Sequence, residues 1–219
     1  MKIHIGCGTT ILDGFVNIDN SPTALFSKLP NPVLSLLKRL SLLNPEQVSF
    51  ASQLRDRKRD FLYANCMKLP FKDNGIDFAY SSHMLGWCLG QDQIGQFLRE
   101  VHRVLRPGGG VRLSFFDIDK ILTDYRQHRN TIRLMECLPL GAAEFSFSRK
   151  LKLLLSPNMQ NGIPLNVETL SRYLEGNGFH EIRSLAAGET TMEARWVEGL
   201  DLYQRSTESI YIEARKGDL

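Results

Sequence analysis

The stretch that most constrains this chain is its opening, Lys2–Asp19, which reads KIHIGCGTTILDGFVNID. A short apolar run, Lys2–Ile5, breaks at Gly6-Cys7-Gly8 and is followed by a second run that ends in Asp19. Two glycines directly after a strand let the backbone pass close to a ligand, because no Cβ stands in the way. An acidic residue closing the next strand can accept hydrogen bonds from a ribose diol, the logic of a nucleotide-binding turn. The fit is incomplete. Thr9, Thr10 and Ile11 stand where a third glycine and a helix are wanted, and only about ten residues separate Gly8 from Asp19, against roughly 30 for a whole strand–helix–strand unit. Taken alone, the stretch reads equally well as a structural turn.

The remaining segments supply context. Phe61–Ala64 reads as a third strand ending at Asn65-Cys66, and Ile76–Ser81 as a fourth. Asp92–Leu105 places Ile94, Phe97, Leu98, Val101, His102 and Leu105 on one helical face, and Arg106-Pro107-Gly108 closes it with a basic last turn, then Pro and Gly. Val111–Phe116 reads as a fifth strand, followed at once by Asp117. Asn166 caps a helix over Val167–Glu175, and Phe179–Ala186 and Glu208–Ala214 read as final strands. Strands alternating with helices predict an α/β layered domain with a mainly parallel sheet. Residues 120–165 show no tidy pattern and read as an insertion. Val33–Leu43 puts Val33, Leu36, Leu37, Leu40 and Leu43 at helical spacing: a short helix packed on the body or, alternatively, an amphipathic lid or membrane-surface contact.

At 219 residues, 42% hydrophobic and 23% charged, the chain suits one soluble globular domain. No apolar run approaches the roughly 20 residues a bilayer demands, and no signal-peptide pattern opens it, so a cytoplasmic protein is expected. Cys7, Cys66, Cys88 and Cys137 lack metal-ligand spacing and read as reduced thiols. The net charge of +3 is unevenly placed: residues 21–60 carry +4, residues 120–165 another +4, and the remainder −5.

The series formed by the glycine turn, the acid ending strand two, LPFKDNGIDFAYSSHML and EVHRVLRPGGGVRLS resembles the class I S-adenosylmethionine-dependent methyltransferases. In particular it is similar to small bacterial members associated with polysaccharide or cell-surface sugar pathways. The likeness runs from Met1 to about Asp119 and resumes from Asn166 to Lys216. It implies a Rossmann-like α/β fold with a seven-stranded, mainly parallel sheet whose last strand is antiparallel, flanked by helices. One domain over 1–219 is expected, with lid or acceptor insertions at about 21–60 and 120–165.

S-adenosyl-L-methionine is the implied cofactor. Gly6 and Gly8 would border its methionine and ribose parts, with Cys7 between them as a small packing residue. Asp19 would accept from the ribose hydroxyls. Asn65, where the family more often has Asp, would face the adenine amino group beside the Cys66 and Met67 backbone, and an amide oxygen can accept that bond. Ser81 would lie under the methionine moiety. Methyl transfer from a sulfonium is an in-line displacement that asks the protein mainly for alignment, and a base is needed only for a hydroxyl or protonated amine acceptor.

His83 and Asp117, each just past a strand, are the candidate bases; each also reads as an ordinary loop residue. Asp119 and His128 are less well placed. Trp87 would wall the pocket or pack on the cofactor's adenine, and reads equally well as a core tryptophan; His102 reads as a core histidine. Basic segments around a cleft favour an anionic small-molecule or glycan acceptor, methylated at oxygen. No nucleic-acid module is recognisable. Open alternatives are an RNA, protein or lipid acceptor, or a cofactor-binding scaffold without turnover.

Overall fold

The computed structural model describes the chain apart from residues 9, 22–23, 25, 27–28, 41, 44, 57–59, 86–88, 138–162, 202–205 and 218–219. In chain order the elements are β1 (Lys2–Ile5), β2 (Val16–Asp19), α1 (Asn31–Arg39), α2 (Pro45–Asp56), β3 (Phe61–Tyr63), β4 (Ile76–Ser82) and α3 (Gln91–Val104). They continue with β5 (Leu105–Phe116), α4 (Ile118–His128), α5 (Thr131–Cys137), α6 (Val167–Gly176), β6 (Phe179–Leu185), α7 (Ala194–Val197) and β7 (Ser209–Lys216).

The strands form one sheet in the order β3-β2-β1-β4-β5-β7-β6. The pairs from β3 across to β5 are parallel, and β7 runs antiparallel to both β5 and β6. The expected seven-stranded sheet with its antiparallel last strand is thus the observed one. The strand order reverses between β1 and β4, so the carboxyl ends of β1, β2 and β4 border the crevice in which open α/β sheets take ligands.

Alternation along the strands divides the core. On one face Ile3, Ile5, Ile18, Ala79 and Leu113 pack with Ile94, Phe97, Leu98 and Val101 of α3 and with Leu170 and Leu174 of α6. On the other, Phe15, Phe78 and Tyr80 meet Val197 and Leu200. The apolar residues of α3 recur at helical spacing and are fully buried, each contributing about 1.5–3 kcal/mol of transfer free energy.

The crossover from β4 to β5 is a regular helix, and Arg103 on it explains the spacing of the LPF and HRVLRPGG segments. Its guanidinium donates to the carbonyls of Leu69 (3.0 Å) and Phe71 (2.9 Å) and to Glu100, whose Oε1 in turn accepts from Leu69 N–H at 2.6 Å. The link between β3 and β4 is thereby tied to the last turn of α3.

The crossover from β1 to β2 contains no helix among its described residues. Its organiser is Asn17, a fully buried amide. Asn17 Oδ1 accepts from Leu12 N–H (2.9 Å), and Nδ2 donates to the carbonyls of Leu12 (3.0 Å), Phe15 (3.2 Å) and Asp60 (3.1 Å). One side chain gives this loop the internal hydrogen bonds that a helix would have supplied.

Four expectations need correction. The strand read as Val111–Phe116 begins at Leu105, because a register shift between Ile76 and Phe78 accommodates the glycines and lets Leu105 pair with Ile76. The segment 120–165, expected to show no tidy pattern, is helical over its first part: α4 starts at Ile118 and α5 ends at Cys137. The 12-residue helix α2 and the single turn α7 had no counterpart in the sequence reading. The face of α1 is also shifted: Leu34 and Leu43 are buried with Leu37 beside them, while Val33, Leu36 and Leu40 are exposed.

Candidate active site

The glycine turn emerges from β1 with Gly6 and Gly8 both in the left-handed region (φ +69° and +55°), where L side chains are strained. Their surroundings differ. A Cβ on Gly6 would lie 2.5 Å from Met84 Sδ, whereas no described atom lies within 4 Å of a Cβ built on Gly8. Gly6 is therefore needed for packing, and Gly8 leaves the backbone open on the crevice side.

Asp19, at the end of β2, holds this turn. Its Oδ2 accepts from Gly8 N–H at 2.8 Å and its Oδ1 from Ser21 N–H at 2.6 Å, while Gly6 and Cys7 N–H donate to Ile18 O at 2.9 and 3.1 Å. A carboxylate has about four lone-pair sites, so capacity remains for a diol. Cys7 is buried, and burial, reinforced by the neighbouring Asp19 charge, pushes its thiol well above the usual range. It is a packed neutral thiol.

Asn65, two residues beyond β3, is exposed and accepts from Met67 N–H at 2.9 Å, forming a local turn. The amide oxygen retains a second lone pair. Cys66 and Met67 are half-buried against the main core. Ser81, near the end of β4, is 1% exposed, and its hydroxyl has no hydrogen-bond partner among the described residues. A buried orphan hydroxyl costs about 1–3 kcal/mol, and an orphan at the carboxyl end of a switch-point strand fits a site built for a polar ligand.

His83 has φ +53°, unusual for a residue with a Cβ. Its backbone N–H donates to Ser114 O at 2.7 Å. Its ring lies 4.5 Å from that of Phe116, with Nε2 3.3 Å from Ser114 Oγ and 3.4 Å from Ser209 Oγ. The imidazole is thus seated on the carboxyl end of β5. Asp117, the next residue after that strand, is 4% exposed and caps α4 by accepting from Asp119 N–H at 3.1 Å. Burial pushes its carboxyl above the usual carboxylate range.

The two candidate bases therefore share one strand end, and each already has a structural task. Asp119 accepts from Asn166 Nδ2 at 3.0 Å. His128 is exposed at the end of α4, with Nδ1 3.1 Å from Asp124. His102 packs edge-on against Phe179 at 5.3 Å, and burial lowers its pKa. Trp87 lies outside the described residues.

The sequence reading overlooked a buried ionic cluster behind this site. Arg112, fully buried in β5, pairs with Glu213 directly across the ladder (2.7 Å) and with Asp201, and donates to Glu189 O at 3.0 Å. Glu213 also accepts from Thr190 Oγ1 and from Thr191 N–H and Oγ1, all at 2.7 Å. The cluster fastens residues 189–201 to the sheet. Its one signal in the sequence is a pair of opposite charges inside apolar runs, VRLSFF and IYIEA.

The fold is that of the class I S-adenosylmethionine-dependent methyltransferases. Residues 42–113 match the family model described as a methyltransferase domain.

Among curated relatives, the malonyl-[acyl-carrier protein] O-methyltransferase of Hamiltonella defensa is 30% identical over 112 residues, which are 51% of this chain and 36% of that protein. The sterol 4-C-methyltransferase of Caenorhabditis elegans is 33% identical over 78 residues, 33% of this chain and 21% of that one. The chain spans between 13% and 36% of the curated relatives it matches. A solved S-adenosylmethionine-dependent methyltransferase from Methanosarcina mazei superposes with a TM-score of 0.53 at 17% identity, covering 99% of this chain and 92% of the other. The resemblance to sugar-pathway members finds no counterpart among these relatives.

Proposed function

We propose that this protein transfers a methyl group from S-adenosylmethionine to an anionic small or glycan-linked acceptor, at oxygen. The observation that carries the reading is the cradle at the switch point: a glycine turn held by Asp19, open at Gly8, beside the buried hydroxyl of Ser81, which has no partner among the described residues. The bound cofactor supplies an activated methyl on a sulfonium. The chain's own part is to hold the ribose at Asp19, the adenine edge at Asn65 with the Cys66 and Met67 backbone, and the methionine portion over Gly6 and Ser81. His83 and Asp117, at the end of β5, orient the acceptor and take its proton where it has one.

Two observations support the acceptor class. The segments 21–60 and 120–165 each carry +4. The Hamiltonella relative is an O-methyltransferase of a malonyl group, which is anionic. Part of the second basic segment is already committed, since Lys120 donates to Ser206 O and Ser209 O and Arg133 pairs with Asp124 and Glu208. A sterol or other lipid acceptor is the rival, favoured by the Caenorhabditis relative.

Calorimetry with S-adenosylmethionine and its demethylated product tests the cofactor half. Labelled-methyl transfer into nucleotide sugars, malonyl thioesters, glycolipids and RNA tests the acceptor. Absence of cofactor binding at millimolar concentration, unchanged by Asp19→Ala, overturns the reading. His83→Ala and Asp117→Ala should lower kcat while leaving cofactor affinity intact, and equal loss of both would assign them to structure alone.

A further inference from the structure

The sheet's two long outgoing connections each leave an apolar row uncovered beside basic side chains. Val33 and Leu36 of α1 and Leu40, which caps its C-terminus, follow helical spacing and are exposed, Leu36 and Leu40 by 54% and 57%. Lys38 and Arg39, also exposed, flank them in the last turn, and the helix carries no acid. The opposite half of its apolar arc, Leu34 and Leu37, meets Leu43 and Ala51. This helix therefore carries more apolar surface than its own packing uses.

On α4 and α5, Leu122, Ile132 (73% exposed) and Met135 (58%) form a second exposed set. Arg126 lies at i+4 from Leu122 on α4, and Arg129, the residue that ends the helix in the left-handed region, is exposed as well. Leucine beside basic residues on a helix face is the composition of helices that lie in a membrane interface. These connections leave the carboxyl ends of β2 and β5, the edge where the candidate site opens.

We infer that these two faces dock the protein on an anionic lipid surface, with the apolar rows entering the headgroup boundary and the four basic side chains meeting the lipid phosphates. Charge favours this occupant over a second copy of the chain, because α1 carries Lys38 and Arg39 and no acid, so a self-contact between two copies of this helix offers those cations no carboxylate. Anionic lipids attract the same side chains. No described helix is long and apolar enough to cross a membrane, so the contact is peripheral. The inference goes beyond the methyl-transfer reading and does not depend on it.

Co-sedimentation of the whole protein with vesicles of phosphatidylcholine, with and without roughly a third phosphatidylglycerol, tests it. The protein should bind the anionic vesicles at least about tenfold more tightly than the neutral ones, and less tightly as salt rises. Leu36→Glu with Leu40→Glu, and Ile132→Glu with Met135→Glu, should each weaken binding about tenfold while cofactor affinity by calorimetry stays unchanged. Lys38→Gln with Arg39→Gln, which disturbs no packing, should do the same and stands in if a glutamate pair fails to fold. Absent or equal binding to both vesicles overturns the inference. So do variants that bind like the parent, or self-association of the parent that Leu36→Glu abolishes.

Discussion

The two crossovers that lead into the site are built by different physics. Between β4 and β5 a 14-residue helix buries a continuous apolar face, and Arg103 ties its last turn to the preceding link. Between β1 and β2, residues 6–15 make the same parallel connection with no described helix, held by one buried amide, Asn17, and one half-exposed carboxylate, Asp19. The first is stabilised by area, spread over many contacts. The second is stabilised by a few directional hydrogen bonds, those of Asn17 part-buried or buried and that of Asp19 to Gly8 close to solvent. Cofactor recognition is proposed for the second, where backbone rather than side chain must face the ligand.

This contrast predicts unequal failures. Phe97→Ala in α3 should cost about 3–5 kcal/mol in denaturant unfolding, yet leave the cofactor affinity of the folded fraction unchanged. Asn17→Ala removes far less volume but takes away the side-chain partner of the Leu12 N–H and of the Leu12 and Phe15 carbonyls, while Asp60 O keeps its bond from the residue-17 backbone N–H. It should cost about 2–4 kcal/mol and weaken cofactor binding in calorimetry as well. If its stability loss stays below that of an ordinary surface change, the one-amide account of this loop is wrong.

His4 offers a pH handle on the same region. Buried against Tyr80 at 5.2 Å between ring centroids, it is held neutral by desolvation, opposed in part by its bond to Asn17, with a pKa of about 4 against 6.5 unfolded. The unfolded chain therefore binds this proton at higher pH than the folded one. Stability from this group is complete above pH 6.5 and declines as pH falls toward 4, by roughly 3 kcal/mol. Urea titrations across that window should show the decline, and His4→Gln should flatten it.

Asp19→Ala should weaken cofactor binding at least about tenfold with a stability loss of only about 1 kcal/mol, since the turn is close to solvent. A smaller effect on affinity than on stability would make Asp19 a brace for the glycines rather than a ribose ligand. The smallest effect belongs to Asp117. Its carboxyl is raised by burial, so folding favours the protonated form and the ionised group carries a penalty at neutral pH. Asp117→Asn, which keeps an N-cap acceptor, should raise stability slightly at pH 7, with the gain vanishing below the ordinary carboxylate range.

Legibility followed the same division. Period-two and period-3.6 patterns are local, so β1, β2, β4, β7, α3 and α6 could be read from the residues, and Gly6, Gly8 and Asp19 announced themselves by their place after strands. The face of α1 could not be read. Its leucines cover an arc wider than any one contact, and spacing alone does not say which half meets the body. The extension of β5 back to Leu105 rests on pairing with Ile76 across the sheet, which no local pattern encodes. Arg112, Asp201 and Glu213 lie far apart in the chain, so their charges read as isolated anomalies until the ladder sets them side by side.

The sequence by itself determined the alternation of strands and helices, the glycine turn and the acid that follows it, because these depend on neighbours within a few residues. Only the tertiary structure decided that the helix-free first crossover is braced by Asn17, that Gly6 yields its space to Met84 while Gly8 stays open, and that the hydroxyl of Ser81 is buried without a described partner at the crevice. Those facts are distances between segments remote in sequence, and burial and hydrogen bonding exist only once the segments have met.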